Sequence, residues 1–196
     1  MKTLFILIAL AVVMAGGTQR ASADPLVFVA FLSGPAESPP NASPATGFAT
    51  VTIDGNTMRV QVTFSGLTTG NTASHIHSAT AVPGTGTAGV ATSVPTFIGF
   101  PGGVTSGNYD HLFDMLDLSS YNPAFVTSNG GTAASAEAAL FQGIFQGRAY
   151  LNIHSTTFPG GEIRGFLQPV PEPTTMLLLG TGLTGLALRL RRRRRI

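Results

Sequence analysis

Cysteine and tryptophan are both absent from the 196-residue chain. Without cysteine the chain has no disulfides, no thiolate chemistry, no iron–sulfur cluster and no lipoprotein anchor. Charged side chains make up only 10% of the residues, and histidine occurs four times. The fold must therefore be stabilised by packing, to which a bound ion can add.

Sequence motifs of common enzyme classes are also missing. The chain has no Gly-x-Ser-x-Gly nucleophile elbow, and its glycine-rich segment PGTGTAG lacks the lysine and the helix start of a phosphate loop. The carboxylates have no spacing that favours glycoside hydrolysis. These absences favour a protein that is not an enzyme.

The first 23 residues have the pattern of a secretory signal peptide. An apolar run covers residues 4–15, and the small residues Ala21 and Ala23 follow at the spacing that signal peptidase recognises. We predict cleavage between Ala23 and Asp24. The remainder of the chain is then exported.

The C-terminal segment, residues 170–196, combines three features in a fixed order. Pro171, Glu172 and Pro173 come first, an uncharged run covers residues 174–188, and a basic cluster follows. Fifteen helical residues span only about 22 Å of the roughly 30 Å hydrocarbon core, so the pattern predicts a marginal transmembrane helix over 174–190. The positive-inside rule places the basic cluster in the cytoplasm. It consists of Arg191, Arg192, Arg193, Arg194 and Arg195.

This C-terminal segment resembles the PEP-CTERM protein-sorting signal. The resemblance implies recognition by a membrane exosortase, processing near the Pro-Glu-Pro motif, and transfer of the body to the cell surface or the extracellular matrix. Residues 24–170 carry three basic and eight acidic side chains, a net charge of −5. An acidic body argues against a nucleic-acid partner and leaves exopolysaccharide or other surface proteins as candidate partners.

Residues 24–169 have the pattern of one mainly β domain. Asp54-Gly55-Asn56 predicts a hairpin turn, and the nearly continuous apolar run of the first strand predicts burial on both faces. One helix is predicted over 132–146, ending at Gly147, and residues 106–129 are predicted to be irregular with one short helical turn. This pattern predicts an antiparallel β-sandwich of Ig-like or Greek-key type with one short helix. The predicted strands are 26–33, 47–53, 58–64, 73–79, 94–100, 148–155 and 161–168.

Three segments of this body resemble the CHRD domain, a module first named from chordin. They are AFLSGPAESPPNASPATGFATVTI, SHIHSA and GRAYLNIHSTTFPGGEIRGFLQ, and the resemblance covers most of residues 26–168. It implies a β-rich extracellular module without an established catalytic activity. The segment GFPGGVTSGNYDHLFDMLDL departs from the family pattern.

His75, His77 and His154 are the candidate metal ligands. In a strand, His75 and His77 face one side about 7 Å apart, and Ile76 faces the core. If the strand that contains His154 lies alongside, the three imidazoles can bind Zn²⁺ or Cu²⁺. The same pattern fits histidines that hydrogen-bond backbone carbonyls or a carboxylate such as Glu162.

Two functions therefore follow from the sequence. The first is an exported, non-enzymatic surface or matrix module that needs no cofactor. The alternative is a metal-dependent redox or hydrolytic enzyme that uses His75, His77 and His154 with zinc or copper.

Overall fold

The computed structural model describes residues 24–171 and 181–183. The described part is mainly β, with eight strands in one antiparallel sheet. Within residues 24–171, two short α-helices, α1 (Pro123–Ser128) and α2 (Ala133–Phe145), and two 3-10 helices accompany it. The strands are β1 (Leu26–Ser33), β2 (Thr46–Asp54), β3 (Thr57–Ser65), β4 (Asn71–His77), β5 (Gly107–Asp114), β6 (Tyr150–Ser155), β7 (Ile163–Phe166) and β8 (Gln168–Pro169).

Strand β1 connects the two halves of the sheet. The strand order is β4-β6-β7-β1-β2-β3-β5, and β8 also pairs with β1. The sheet curls around the core, and hydrogen bonding is continuous from one edge to the other. This corrects the predicted sandwich of two separate sheets. Alternating apolar residues predict which face of a strand is buried, but they do not predict whether two groups of strands share hydrogen bonds.

The core lies inside the curl and is built by period-two alternation. On β3, Met58, Val60, Val62 and Phe64 are buried, while the residues between them face outward. Strand β1 alternates in the same way, and its Phe31 side chain is 78% exposed. The prediction that β1 is buried on both faces was therefore wrong, since an apolar residue does not have to face the core.

Two local predictions are confirmed. Gly55 has a φ of 55° in the turn between β2 and β3, a conformation that favours glycine. Helix α2 begins after the N-cap Thr132, whose hydroxyl accepts a hydrogen bond from the backbone N–H of Ser135. The helix is followed by Gly147, with a φ of 64°. These turn and cap residues act locally, so the sequence predicts them well.

The segment between β4 and β5 differs from the prediction. Residues 94–100 form no strand; instead Phe97 is fully buried, with its ring centroid 5.7 Å from Tyr109 and 5.6 Å from Phe113. The supposedly irregular region contains the edge strand β5, which pairs with β3 along its whole length. The loop thus fills the opening between the two ends of the curled sheet, a long-range contact that local periodicity does not encode.

The body is hydrogen-bonded up to the start of the sorting motif. The Val170 N–H donates to the Val27 carbonyl at 2.8 Å, directly before Pro171. Among the described residues, no helix is long and apolar enough to cross a membrane. Several predicted features lie outside the described residues: the signal peptide with Ala21 and Ala23, most of the transmembrane helix predicted over 174–190, Glu172, Pro173, and Arg191 to Arg195.

Candidate metal centre

The pairing of β4 with β6 brings the three candidate histidines together. His75 lies opposite Asn152 and His77 lies opposite Tyr150, while His154 pairs with Ala73. The histidines therefore lie on the face of the sheet that points away from the core. The side chains between them, including Ile76, are fully buried on the other face. The sequence-based prediction that all three share one face matches this arrangement.

The three imidazoles converge on one place. One ring nitrogen from each histidine lies within 4.8 Å of the other two. In a tetrahedral zinc site with bonds of about 2.0–2.1 Å, two imidazole nitrogens lie about 3.3–3.4 Å apart. Each of the three donors would therefore have to move by up to about 1 Å to bind one ion.

Each histidine is held by a backbone carbonyl through its other ring nitrogen. His75 Nε2 lies 2.6 Å from the carbonyl oxygen of Pro95, and His77 Nδ1 lies 2.9 Å from that of Ala88. His154 Nδ1 lies 2.9 Å from the carbonyl oxygen of Pro159. A carbonyl only accepts hydrogen bonds, so these nitrogens carry the proton.

The remaining nitrogens each have a free lone pair. His75 Nδ1, His77 Nε2 and His154 Nε2 are buried and have no hydrogen-bond partner. A buried polar atom without a partner is rare in folded proteins. Three such atoms on three neighbouring rings, each ring oriented by a carbonyl, are typical of metal-ligating histidines.

The site keeps its histidines neutral. The pKa of His77 is lowered to about 4, mainly by burial and also by the nearby His75, His154 and Arg164, against the opposing effect of the Ala88 carbonyl. Burial likewise lowers the pKa of His75 and of His154. Neutral imidazole is the form that binds a metal. A set of three imidazoles suits Zn²⁺ and Cu²⁺.

An aromatic stack supports His77 on the side of β7. The Tyr150 ring lies parallel to the His77 ring with centroids 4.7 Å apart, and the Arg164 guanidinium lies 4.7 Å from the Tyr150 ring centroid. The Tyr150 hydroxyl also contacts Ala88, accepting from its N–H at 3.3 Å. Ala88 therefore orients both the His77 ring and the Tyr150 ring that packs on it.

Two carboxylates near β7 behave differently from each other. Glu162 accepts hydrogen bonds from Ser43 Oγ and the Thr68 N–H, both at 2.7 Å, so the expected contact with the histidines is not observed. Glu37 is the acid that approaches the polar face, with Oε2 at 3.8 Å from Arg164 Nε. Burial raises the pKa of Glu37 to about 7, although Arg164 opposes this shift. The sequence analysis missed Glu37, because no local pattern links residue 37 to β7.

The geometry defines an antiparallel β domain with a cluster of three histidines, of which two are buried and His154 is half-buried. A CHRD domain model matches residues 28–167, and a PEP-CTERM protein-sorting motif model matches residues 169–194. The chain therefore belongs to the CHRD domain family. The sorting motif implies export, recognition by an exosortase and membrane-associated sorting to the cell surface. No curated protein and no solved structure matches the chain.

Proposed function

We propose that the chain is a non-enzymatic module of the cell surface or extracellular matrix that holds one Zn²⁺ or Cu²⁺ ion at His75, His77 and His154. One observation carries the metal-binding part. Each of the three histidines has a buried ring nitrogen without a hydrogen-bond partner, and the three side chains offer one ring nitrogen each within 4.8 Å of one another. A bound ion would satisfy all three nitrogens at once.

The route of export rests on the two ends of the chain. In this proposal, the signal peptide predicted over residues 1–23 directs the chain to the membrane, and the apolar segment 174–190 holds it there until an exosortase processes it near Pro171. Exopolysaccharide and other surface proteins are the neighbours of the mature body, and nucleic acid is not a partner. The matching families, which are not enzymatic, support a binding or structural role.

A second function has one observation in its favour. The cluster supplies three protein nitrogens, and three protein ligands with a free fourth position are typical of catalytic zinc sites. A metal-dependent redox or hydrolytic enzyme at the same histidines is therefore the competing proposal.

Metal analysis of purified full-length protein tests the binding proposal. After equilibration with Zn²⁺ or Cu²⁺ and removal of free ions, we expect one ion per chain, measured by elemental mass spectrometry. We expect His77→Ala to lose the ion and His111→Ala to retain it, because His111 lies on β5, outside the cluster. Metal-free wild-type protein, or equal loading of both variants, would contradict the proposal.

The same samples separate the two functions. Metal-loaded protein is assayed for superoxide dismutation and for ester hydrolysis. Turnover that disappears in His77→Ala but persists in His111→Ala would favour the enzyme. A tightly bound ion without turnover would support the non-enzymatic module.

A further inference from the structure

An open groove of about 490 Å³ lies on the outer face of strands β2, β3 and β5. These strands are at the other end of the strand order from β4 and β6, which carry the histidines. The side chains that point outward in the groove are all at least partly exposed, so a ligand in the groove can contact them. They are Phe48, Thr50, Gln61, Thr63, Asn108 and Asp110.

Aromatic rings extend the groove on one side. Phe48 is 39% exposed, and its cross-strand neighbour Phe31 on β1 is 78% exposed, with the two ring centroids 5.0 Å apart. Thr63 on β3 and Asn108 on β5 continue the same row across the sheet. Neighbouring strands are about 4.8 Å apart, so the row is about 14 Å long. The face is therefore apolar at one end of the row and polar at the other.

The polar side chains of the groove offer both donors and acceptors. Thr63 Oγ1 donates to Asn108 Oδ1 at 2.9 Å, which leaves the Asn108 amide group as a donor. Gln61 Nε2 donates to Asp110 Oδ2 at 3.1 Å, which leaves Gln61 Oε1 as an acceptor. The hydroxyl of Thr50, which pairs with Gln61 across β2 and β3, can serve as either.

The groove has no uncompensated charge. Among the described residues that line it, only Asp110 is charged. Both oxygens of Asp110 accept from the guanidinium of Arg59, at 2.8 Å and 2.6 Å, so the acid is neutralised by a bidentate ion pair. Nothing here attracts a polyanion or a polycation, whereas a neutral ligand needs no charged partner.

A sugar chain has the chemistry that this face lacks a partner for. The faces of a pyranose ring carry C–H groups, which pack on the negative face of an aromatic ring, and its edges carry hydroxyls that donate and accept hydrogen bonds. The groove is open along the face, so a long chain can lie across it without ending there.

We propose that this groove binds a segment of a neutral polysaccharide, with sugar rings packed on Phe31 and Phe48 and hydroxyls hydrogen-bonded to Thr50, Gln61 and Asn108. The inference rests on the proposed role of the chain as a surface module and goes beyond it by naming a partner and its site. Binding does not involve the metal ion at the histidines. Its failure would leave the metal analysis unaffected.

Titration of immobilised full-length protein with soluble polysaccharides, followed by biolayer interferometry, tests the inference. The neutral probes are hydroxyethyl cellulose, laminarin and dextran, and the acidic probe is carboxymethyl cellulose. Salt at about 0.5 M screens the attraction between the arginine tail and the acidic probe. We expect saturable binding of at least one neutral polysaccharide. Binding of none of them, or a preference for carboxymethyl cellulose over hydroxyethyl cellulose, would overturn the proposal.

A matched pair of phenylalanine variants locates the binding. Phe31→Ala removes a ring of the groove, whereas Phe145→Ala removes a ring that is 49% exposed on α2, outside the groove. We expect at least about tenfold weaker binding for Phe31→Ala, the factor that corresponds to about 1.4 kcal/mol, and wild-type affinity for Phe145→Ala. Equal affinities in these two variants, with unchanged circular dichroism spectra, would overturn the assignment.

A pair of threonine variants tests the polar part of the groove. Thr50→Val and Thr52→Val each replace a hydroxyl by a methyl group on the same face of β2, but only Thr50 lines the groove. We expect several-fold weaker binding for Thr50→Val and no change for Thr52→Val. Equal affinities would show that the groove does not hold the sugar. His77→Ala should bind like the wild type, which separates this result from loss of the metal.

A second copy of the chain is the other occupant that the exposed rings could attract. Sedimentation of the wild type and of Phe31→Ala distinguishes the two. We expect the same sedimentation coefficient for both. Self-association of the wild type that Phe31→Ala abolishes would overturn the proposal and assign the face to contact between copies.

Discussion

His77 shows how one residue serves both stability and binding. Its ring is stacked on Tyr150 and hydrogen-bonded to the Ala88 carbonyl, and its burial makes a positive charge on it unfavourable. A metal ion needs the same neutral ring with its lone pair free. The burial that keeps the His77 ring neutral for a metal ion therefore also makes the metal-free domain sensitive to acid.

The pH dependence of the metal-free domain follows from the lowered pKa of His77, about 4 in the fold against the usual value of 6.5. The unfolded chain binds more protons between these two values, so stability present above about pH 6.5 is lost as the pH falls toward 4. The shift corresponds to a loss of up to about 3 kcal/mol in unfolding free energy. Urea unfolding in the presence of a chelator, compared at pH 7 and pH 5, measures this loss of unfolding free energy.

His77→Gln should show a smaller loss of stability between these two pH values, because the substituted side chain does not titrate. His111→Gln is the control and should keep the wild-type dependence. An unchanged pH slope in His77→Gln would contradict the assignment of the acid sensitivity to this ring.

The loop between β4 and β5 is the element that the local pattern describes least well. Its Phe97 is fully buried, and its backbone N–H donates to the Ser74 carbonyl at 3.0 Å. The same loop supplies the Pro95 and Ala88 carbonyls that orient His75 and His77. Packing of this loop in the core and orientation of the histidines are therefore connected.

Phe97→Ala should destabilise the domain by about 3–5 kcal/mol, since it leaves a cavity among buried aromatic rings. The neighbouring Ile98→Ala is the control, because Ile98 is half exposed and should cost much less. Chemical denaturation of both variants in the same buffer measures the difference. Equal stability of the two variants would show that Phe97 does not fill the core.

In the whole molecule, the described body reaches the sorting signal without a linker. The Val170 N–H is bonded to β1, and Pro171 follows directly. Processing near Pro-Glu-Pro would therefore act close to the folded surface. The tail carries the basic charge of the chain, while the body is acidic.

Deletion of Arg191–Arg195 should leave the chain mislocalised or incompletely processed, because the positive flank that fixes the membrane orientation is lost. Cell fractionation and the size of the mature protein measure this effect. Replacement of the five arginines by lysines keeps the charge and is expected to preserve most of the sorting. Identical sorting of the deletion variant would contradict the role of the tail.

Several features could be predicted from the sequence, because their causes are local. Alternation along β4 and β6 determines that His75, His77 and His154 share a face opposite Ile76, and Asp54-Gly55 determines a tight turn. The cap residues Thr132 and Gly147 determine where α2 begins and ends. The order of proline, apolar and arginine residues determines the sorting motif.

Only the tertiary structure decided how these pieces come together. The register of β4 on β6, the carbonyls of Ala88, Pro95 and Pro159 at the rings, and the approach of Glu37 to Arg164 all join residues far apart in the chain. The same holds for the single curled sheet and for Phe97 between its ends. Such contacts depend on which strands pair and on how loops fill the remaining space, and these are properties of the packed chain that no local stretch of residues encodes.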